Sequence, residues 1–260
     1  MTDFGRFGDV AVALHDDFVA ELEIQRPPNN FFDITLIASL AEAMEALDAE
    51  AGCRAAVLGS VGKHFCAGAD FGSRPDGGIR GEERHLYDEA VRLFATRTPV
   101  VAAVQGAAIG GGLGLALWPD FRVACPEARF AANFARLGFH HGFGLTVTLP
   151  RAVGQQRALE LLYTGARIDG ERAQAIGLAD RLVTRERVRD EARAFAADVA
   201  ASGPLAIPAI RETQRGGLAA EIRVATDRER AEQERLEKSE DFREGIAAMA
   251  ERRKPSFKGR

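Results

Sequence analysis

Two segments rich in glycine and alanine have the residue types and spacing to bind an anion through backbone amides. Residues 65–70 read FCAGAD after a predicted strand, and residues 105–115 read QGAAIGGGLGL before a predicted helix. Small side chains let a backbone N–H approach a ligand closely, and amides at the start of a helix carry partial positive charge. Either segment alone can be a simple tight turn. Together they predict an oxyanion hole built from two amides on separate loops.

A pair of histidines supplies the leading candidate for proton transfer. His140 and His141 lie in a turn bounded by glycines, GFHHGFG. Histidine titrates near neutral pH, so His141 can donate or accept a proton under physiological conditions. Paired histidines in a turn can equally be hydrogen-bonding residues without a catalytic role. His64, and His85 with Tyr87 on the following helix, are further candidates, although Tyr87 also fits an amphipathic core position.

The elements that position these groups are predicted from hydrophobic periodicity. The later residues of the segment 18–24 alternate apolar and charged, which indicates a half-buried strand. Apolar residues at spacings of three and four over 34–47 indicate an amphipathic helix from about Ile34 to Ala49, with Asp33 as its N-cap. Further strands are predicted at 10–14, 55–59 and 99–104, and a helix at about 82–95 after a loop at 71–83. This alternation predicts an α/β layer structure with right-handed crossovers.

One domain boundary is predicted near residue 200. Pro204 and Pro208 interrupt the chain there, and residues 221–251 are dense in charge with a helical period. We therefore expect a core over residues 1–200 that holds the ligand site, and a helical region over 201–260. Its charged helices are either a solvated face or an oligomer contact.

Composition and charge exclude several classes of protein. The 260 residues include 34 Lys and Arg against 38 Asp and Glu, a net charge of −4, so no overall positive field attracts nucleic acid or an anionic membrane. Three cysteines without CxxC spacing argue against a disulfide framework or a zinc site and favour the cytoplasm. The 18 uncharged residues from Val101 to Trp118 are interrupted by glycines, which indicates a buried strand and a turn rather than a membrane span.

The sequence resembles the crotonase, or enoyl-CoA hydratase/isomerase, superfamily over nearly its whole length. The likeness rests on QRP at 25–27 with Asn30, on the two glycine-rich segments, on LPRAVG at 149–154, on LYTG at 162–165 and on residues 173–182. The resemblance implies a crotonase-like spiral of ββα units with a C-terminal helical trimerisation region, in a trimer or a dimer of trimers. It also implies an acyl-CoA thioester whose oxygen lies between the amides of Ala67 and Gly111.

The resemblance also indicates which residues contact the substrate. CoA is the only cofactor-like group expected, as part of the substrate, and no metal is expected. Arg252 matches a basic position near the C-terminus that can reach a CoA phosphate. The full set of implied substrate-binding residues is Gln25, Arg26, Pro28, Phe65, Cys66, Gly68, Ala69, Asp70, Tyr87, Gly110, Phe134, His140 and Arg252.

The chain departs from the hydratases at both catalytic glutamates. By the resemblance, one glutamate position is occupied by Gly114 and the other by Phe134. Hydration by two carboxylates flanking a water is therefore not expected. The sequence predicts an acyl-CoA enzyme of this family whose reaction is left open among hydration, isomerisation, and C–C or thioester cleavage. A catalytically silent acyl-CoA-binding protein is the alternative, and a structural scaffold is a third.

Overall fold

A computed structural model describes residues 2–72, 77–81 and 84–260 of the chain. The strands are β1 (Thr2–Phe7), β2 (Val10–Leu14), β3 (Val19–Ile24), β4 (Ala55–Ser60), β5 (Val100–Val104), β6 (Ala107–Ile109), β7 (Phe121–Ala124), β8 (Arg129–Ala131), β9 (Arg167–Asp169) and β10 (Arg181–Leu182). The helices are α1 (Ile34–Ala49), α2 (Leu86–Phe94), α3 (Gly111–Leu117), α4 (Leu145–Val153), α5 (Gln155–Thr164), α6 (Gly170–Ala175), α7 (Val188–Ala200), α8 (Ala206–Arg215), α9 (Leu218–Leu236) and α10 (Glu240–Ala250).

Two sheets organise the α/β fold. The larger has seven strands in the order β1-β2-β3-β4-β5-β7-β10, and the smaller has three in the order β6-β8-β9. Strands β1 to β3 pair antiparallel, whereas β3, β4, β5, β7 and β10 are parallel neighbours. The mixed α/β fold predicted from the alternating pattern is thus confirmed. The chain leaves the large sheet after β5, adds β6 to the small sheet, and begins α3 at the glycine run.

The core lies around the central parallel strands. Every residue of β4 and β5 is buried, as expected for strands covered on both faces. Helix α7 packs against both strands, and α1 packs against α2. Helix α1 has the predicted bounds, and its N-cap Asp33 accepts a hydrogen bond from the Leu36 amide at 2.9 Å.

Three features differ from the expectation. The first strand was not predicted, because its sequence mixes charged, glycine and aromatic residues without alternation. Helix α2 begins at Leu86, with His85 as N-cap, so it starts later than expected; residues 82–83 lie outside the described part. The charged C-terminal segment is more than a solvated face, because α9 packs against α2 and α4.

No helix in the described part of the chain is long and apolar enough to cross a bilayer.

Candidate active site

A cavity of about 650 Å³ lies where the loop after β4, the start of α3 and the turn before α4 meet. Its two ends differ in chemistry. One end is apolar and is lined by aromatic and aliphatic side chains with Tyr87 and Gln233, while the other carries basic side chains. Ala67, Ala69 and Gly111 also line the cavity. The predicted site residues that line this cavity are Ala67, Gly68, Ala69, Tyr87, Gly110, Gly111 and Phe134.

The glycine run brings the start of α3 against the cavity at very close range. A Cβ on Gly111 would overlap the ring of Phe32, so only glycine fits there. Gly111 is the first residue of α3, and within the described residues its N–H has no hydrogen-bond acceptor. The N-terminal amides of a helix lack intrahelical partners. The Gly111 amide is therefore without an acceptor where α3 borders the cavity, and its contact with a ligand stays a prediction.

The second predicted amide donor is already occupied. The Ala67 N–H donates to the Asn29 carbonyl at 3.0 Å, so it is not free to bind a substrate oxygen. Gly68 has a φ of 93°, which reverses the chain, and Ala69 follows with no acceptor for its N–H within the described residues. A side chain at position 68 would also lie 2.8 Å from the Ile109 carbonyl oxygen. The free amide is thus that of Ala69, and the prediction for Ala67 is corrected.

Gly114 and Phe134, the positions at which the resemblance implies glutamates in hydratases, have apolar surroundings here. A Cβ on Gly114 would lie 2.7 Å from Cβ of Phe143, so the ring of Phe143 fills the space into which a longer side chain would extend. The other position, Phe134, presents an apolar ring to the cavity. Glu127 is the only carboxylate among the described residues that line the cavity, and it is exposed at the basic end.

The histidine pair faces away from the cavity. Nε2 of His141 lies 2.9 Å from the Thr146 hydroxyl, which itself donates to Glu229 at 2.6 Å. Because that hydroxyl donates to Glu229, it accepts from His141, which places the imidazole proton on Nε2. Burial, and then the charge of His140, lower the pKa of His141 to about 4. Neither His140 nor His141 lines the cavity.

Tyr87 is the titratable group that the structure places at the apolar end. Its hydroxyl donates to Oε1 of Gln233 at 2.7 Å, and Gln233 donates to the His140 carbonyl at 2.9 Å. A Cβ on Gly142 would overlap this hydroxyl, so the glycine makes room for it. Burial, and then the charge of Glu229, raise the pKa of Tyr87, which therefore stays protonated. Tyr87, which by sequence also fitted a core position, is buried from bulk solvent and lines the cavity.

Two polar residues on α9 were missed from the sequence. Glu229 is fully buried and accepts from the amides of Gly144 at 2.9 Å and Thr146 at 3.0 Å. Burial raises its pKa. Gln233 lies four residues later, on the same face of the helix. Together they tie α9 to the turn that precedes α4 and position the hydroxyl of Tyr87.

The residues predicted to hold CoA separate into three groups. Arg26, Pro28 and Asp70 line a second, smaller cavity of about 270 Å³. Phe65 and Cys66 are fully buried in the core, so their side chains do not reach a ligand. The predicted site residues that line neither cavity are Gln25, Phe65, Cys66, His140, His141 and Arg252.

Arg26 is already neutralised by its own neighbours. Its guanidinium contacts Asp9 at 2.6 Å and Asp33 at 2.7 Å, and it also donates to the Thr35 hydroxyl at 2.9 Å. Burial lowers its pKa, but the hydrogen bonds that it donates to Asp33 and Asp9 outweigh that effect, so the pKa is raised. Its role in this fold is to join β2, β3 and α1, and little positive charge remains for a phosphate.

Comparison with known proteins gives a consistent result. Residues 15–260 match the profile of the enoyl-CoA hydratase/isomerase family. A probable enoyl-CoA hydratase of Bacillus subtilis is 33% identical over 94% of this chain and 96% of its own length. The 1,2-epoxyphenylacetyl-CoA isomerase of Escherichia coli is 31% identical over 93% of this chain and 95% of its own.

Solved structures extend the same comparison. An enoyl-CoA hydratase/isomerase from Pseudoalteromonas atlantica superposes with a TM-score of 0.87 at 30% identity, covering 96% of this chain and 100% of that one. A carnitinyl-CoA hydratase from Mycobacterium avium superposes with a TM-score of 0.86 at 28% identity, covering 97% and 99%. These relatives are similar over nearly their whole length.

Proposed function

Because the chain belongs to the enoyl-CoA hydratase/isomerase family, we propose that it binds an acyl-CoA thioester with its carbonyl oxygen between the amides of Ala69 and Gly111. One observation carries this proposal: two backbone N–H groups without acceptors, on separate loops, line the same cavity. Such a pair stabilises the negative charge that develops on the oxygen as the thioester becomes an enolate. Loss of one donor of this kind typically costs about 3 kcal/mol in the transition state.

The reaction that follows does not use two carboxylates flanking a water. Phe143 fills the space beside Gly114, and Phe134 is apolar. A proton must therefore come from another group. Tyr87 is the titratable side chain at the apolar end, within the described residues. Its raised pKa keeps the hydroxyl protonated, so the group can act as a donor and not as a base.

The apolar end favours a bulky apolar acyl group. Phe71, Phe139 and Phe143 line it together with Ile79 and Met249. Aromatic and aliphatic walls with a few polar groups are typical of sites that select an apolar ligand by shape. The relative named as a 1,2-epoxyphenylacetyl-CoA isomerase acts, by its name, on an acyl-CoA that contains a ring. We therefore extend the expected substrates to aromatic and alicyclic acyl-CoAs.

A catalytically silent acyl-CoA-binding protein is the second candidate. The absence of a carboxylate from the apolar end, among the described lining residues, favours it over a hydratase. The two candidates differ in one property: an enzyme of this kind forms an enolate, whereas a binding protein leaves the thioester unchanged. Both predict binding of the thioester in the same cavity.

The test separates carbonyl polarisation from turnover. Binding of crotonyl-CoA labelled with ¹³C at the thioester carbonyl should move the carbonyl resonance downfield, because two amide donors withdraw electron density from the carbon. A panel of crotonyl-, phenylacetyl- and alicyclic acyl-CoAs is then assayed for product and for α-proton exchange in D₂O. Exchange with any of them supports the enzyme, while a shifted resonance without exchange or product supports the binding protein. An unchanged resonance on saturation contradicts the oxyanion hole.

Tyr87→Phe tests the proposed proton donor. It removes one hydroxyl and keeps the ring, so kcat should fall about 10²-fold with little change in KM. His141→Asn is the matched control, because its ring contacts Thr146 outside the cavity. Its kcat should stay close to that of the native protein. If His141→Asn abolishes turnover and Tyr87→Phe does not, His141 and not Tyr87 is the proton donor.

A further inference from the structure

A pair of polar side chains interrupts the apolar end of the main cavity. Tyr87 on α2 and Gln233 on α9 both line this end, and both are buried, with Gln233 only 4% exposed. Hydrocarbon and thioether side chains without an oxygen surround the pair, among them those of Phe71, Ile79, Phe139, Phe143 and Met249. Polar atoms in such surroundings are stable only when they have hydrogen-bond partners.

Two partners fix the orientation of the Gln233 amide. Its Nε2 donates to the His140 carbonyl at 2.9 Å, and its Oε1 accepts from the Tyr87 hydroxyl at 2.7 Å. A carbonyl oxygen cannot donate, so an exchange of Nε2 and Oε1 would place two acceptors against each other. Because the two partners lie on different segments of the chain, they hold both the direction and the plane of the amide.

This arrangement leaves one N–H of Gln233 unused. The amide nitrogen carries two hydrogens, and one of them is directed at the His140 carbonyl. No second acceptor for Nε2 occurs among the described residues. Tyr87 can give its proton to a ligand only by releasing Oε1, whereas the second N–H of Gln233 is available without rearrangement. A buried donor without an acceptor is unfavourable, so a ligand that supplies an acceptor is favoured.

Gly142 keeps side-chain atoms away from this pair. The glycine lines the same cavity, in the turn before α4. A Cβ at this position would lie 2.7 Å from Nε2 of Gln233 and would overlap the hydroxyl of Tyr87. Any other residue at position 142 would therefore cover or displace the pair.

We propose that Gln233 selects acyl groups that carry a neutral oxygen, which accepts the second N–H of its side chain. A ketone, ether or hydroxyl oxygen is expected rather than a carboxylate, because the donor is an uncharged amide and, within the described residues, no cation pairs with Tyr87 or Gln233. This inference rests on the proposed function and narrows its substrates to bulky acyl groups with one such oxygen. A site that hydrogen-bonds a substrate oxygen discriminates against analogues without it, since its own donor is then unpaired.

The test compares matched thioesters and matched variants. Cyclohexylacetyl-CoA is compared with its 2-oxo, 3-oxo and 4-oxo derivatives, which differ from one another only in the position of the ketone. Gln233→Met keeps the length of the side chain and removes the amide. Gln214→Met, the same substitution at an exposed position of α8, is the control. Calorimetry gives the affinity of each ketone relative to cyclohexylacetyl-CoA within one protein, so a general loss of affinity cancels.

The native protein and Gln214→Met should bind one of the three ketones at least about tenfold more tightly than the other two. All three ketones lose similar hydration on binding, and only the matching one reaches the amide. Gln233→Met should lose this preference and still bind cyclohexylacetyl-CoA. With the ketone labelled with ¹³C, its stretching frequency should be lower in the native complex than in the Gln233→Met complex, because a hydrogen bond weakens the C=O bond.

Equal affinity of the native protein for the three ketones overturns the inference, as does a preference that persists in Gln233→Met. If circular dichroism shows that Gln233→Met is unfolded, the native protein decides. The frequency of the preferred ketone bound to it must then lie below that of the same ketone in cyclohexane. If the native protein binds none of the thioesters, the proposed function and this inference are both wrong, whereas binding without a preference removes the inference alone.

Discussion

At the scale of single residues, the glycine-rich segments could be recognised from sequence and their exact donors could not. The amide of Gly111 could be singled out because the first residues of a helix lack intrahelical acceptors and no capping side chain precedes it. The donor near residue 67 was misplaced by two residues. Its position depends on the positive φ of Gly68 and on the carbonyl of Asn29, which sequence spacing does not specify. The contact between the loop of Ala67 and the loop of Asn29 is a tertiary contact, which a local sequence pattern does not predict.

The contact between Gly114 and Phe143 gives a prediction at this scale. Gly114→Ala should destabilise the protein by about 1–3 kcal/mol, because its Cβ would lie 2.7 Å from Cβ of Phe143. Urea unfolding of Gly114→Ala, Phe143→Gly and the double variant forms a double-mutant cycle, because glycine at position 143 removes the Cβ that the new methyl group would contact. The double variant should lose clearly less stability than the sum of the single variants. Additive losses would show that the two positions do not compete for the same space.

At the scale of elements, α9 shows why part of the site escaped the sequence. Its buried face includes Leu218, Ile222, Thr226, Glu229 and Gln233, so apolar residues give way to polar ones along the helix. Hydrophobic periodicity therefore identifies the buried face in the first turns of α9, but it does not identify that face in the last turns, where the buried residues are polar. The buried carboxylate and amide pair with groups on the turn before α4, on the first turn of α4 and on α2, all of which are distant in sequence. Helix α1 was predicted with its correct bounds because its apolar pattern is uninterrupted.

The N-cap of helix α2 leads to a prediction about how the stability of the protein depends on pH. The N-cap His85 accepts the Tyr87 amide on Nδ1 at 3.1 Å, which requires a neutral ring. Burial, and then the charge of Arg230, lower its pKa to about 4 from the usual 6.5. The unfolded chain therefore takes up a proton first as the pH falls. Stability from this group is complete above pH 6.5 and is lost as the pH falls towards 4, by at most about 2 kcal/mol at pH 5.

His85→Asn isolates this contribution. Asparagine is a good N-cap and does not titrate, so the variant keeps an acceptor for the helix. Urea midpoints of both proteins at pH 7.5 and pH 5 should show a larger loss for the native protein. Equal losses would mean that His85 is protonated as easily in the folded chain as in the unfolded one.

At the scale of the whole molecule, exposed apolar side chains agree with the predicted oligomer. Helix α8 has no buried residue in the single chain, and Ile210 on it is 57% exposed. Leu205 just before it is 88% exposed, and Val224 on α9 is 72% exposed. Such residues are common at protein–protein contacts, although single exposed apolar residues are also normal on monomers. The trimer stays a prediction from the resemblance.

Ile210→Glu is our test of that prediction. A charge in an apolar contact costs desolvation, so the variant should lower the mass measured by sedimentation from that of three chains towards one. Thr213→Glu, a substitution at another exposed position of α8, is the control for added charge. An unchanged mass for Ile210→Glu would remove this face of α8 from the contact.

The free amides of Ala69 and Gly111 belong to the main chain, and this affects how the protein can change over evolution. A codon change replaces a side chain and leaves the N–H in place, with proline as the sole exception. Selection can therefore exchange the surrounding glutamates, phenylalanines and tyrosines while the two donors persist. In the laboratory, deleting a donor cleanly requires semisynthesis, with an ester bond in place of the peptide bond. Under the proposed function, one scaffold can in this way serve successive chemistries while its two amide donors stay in place.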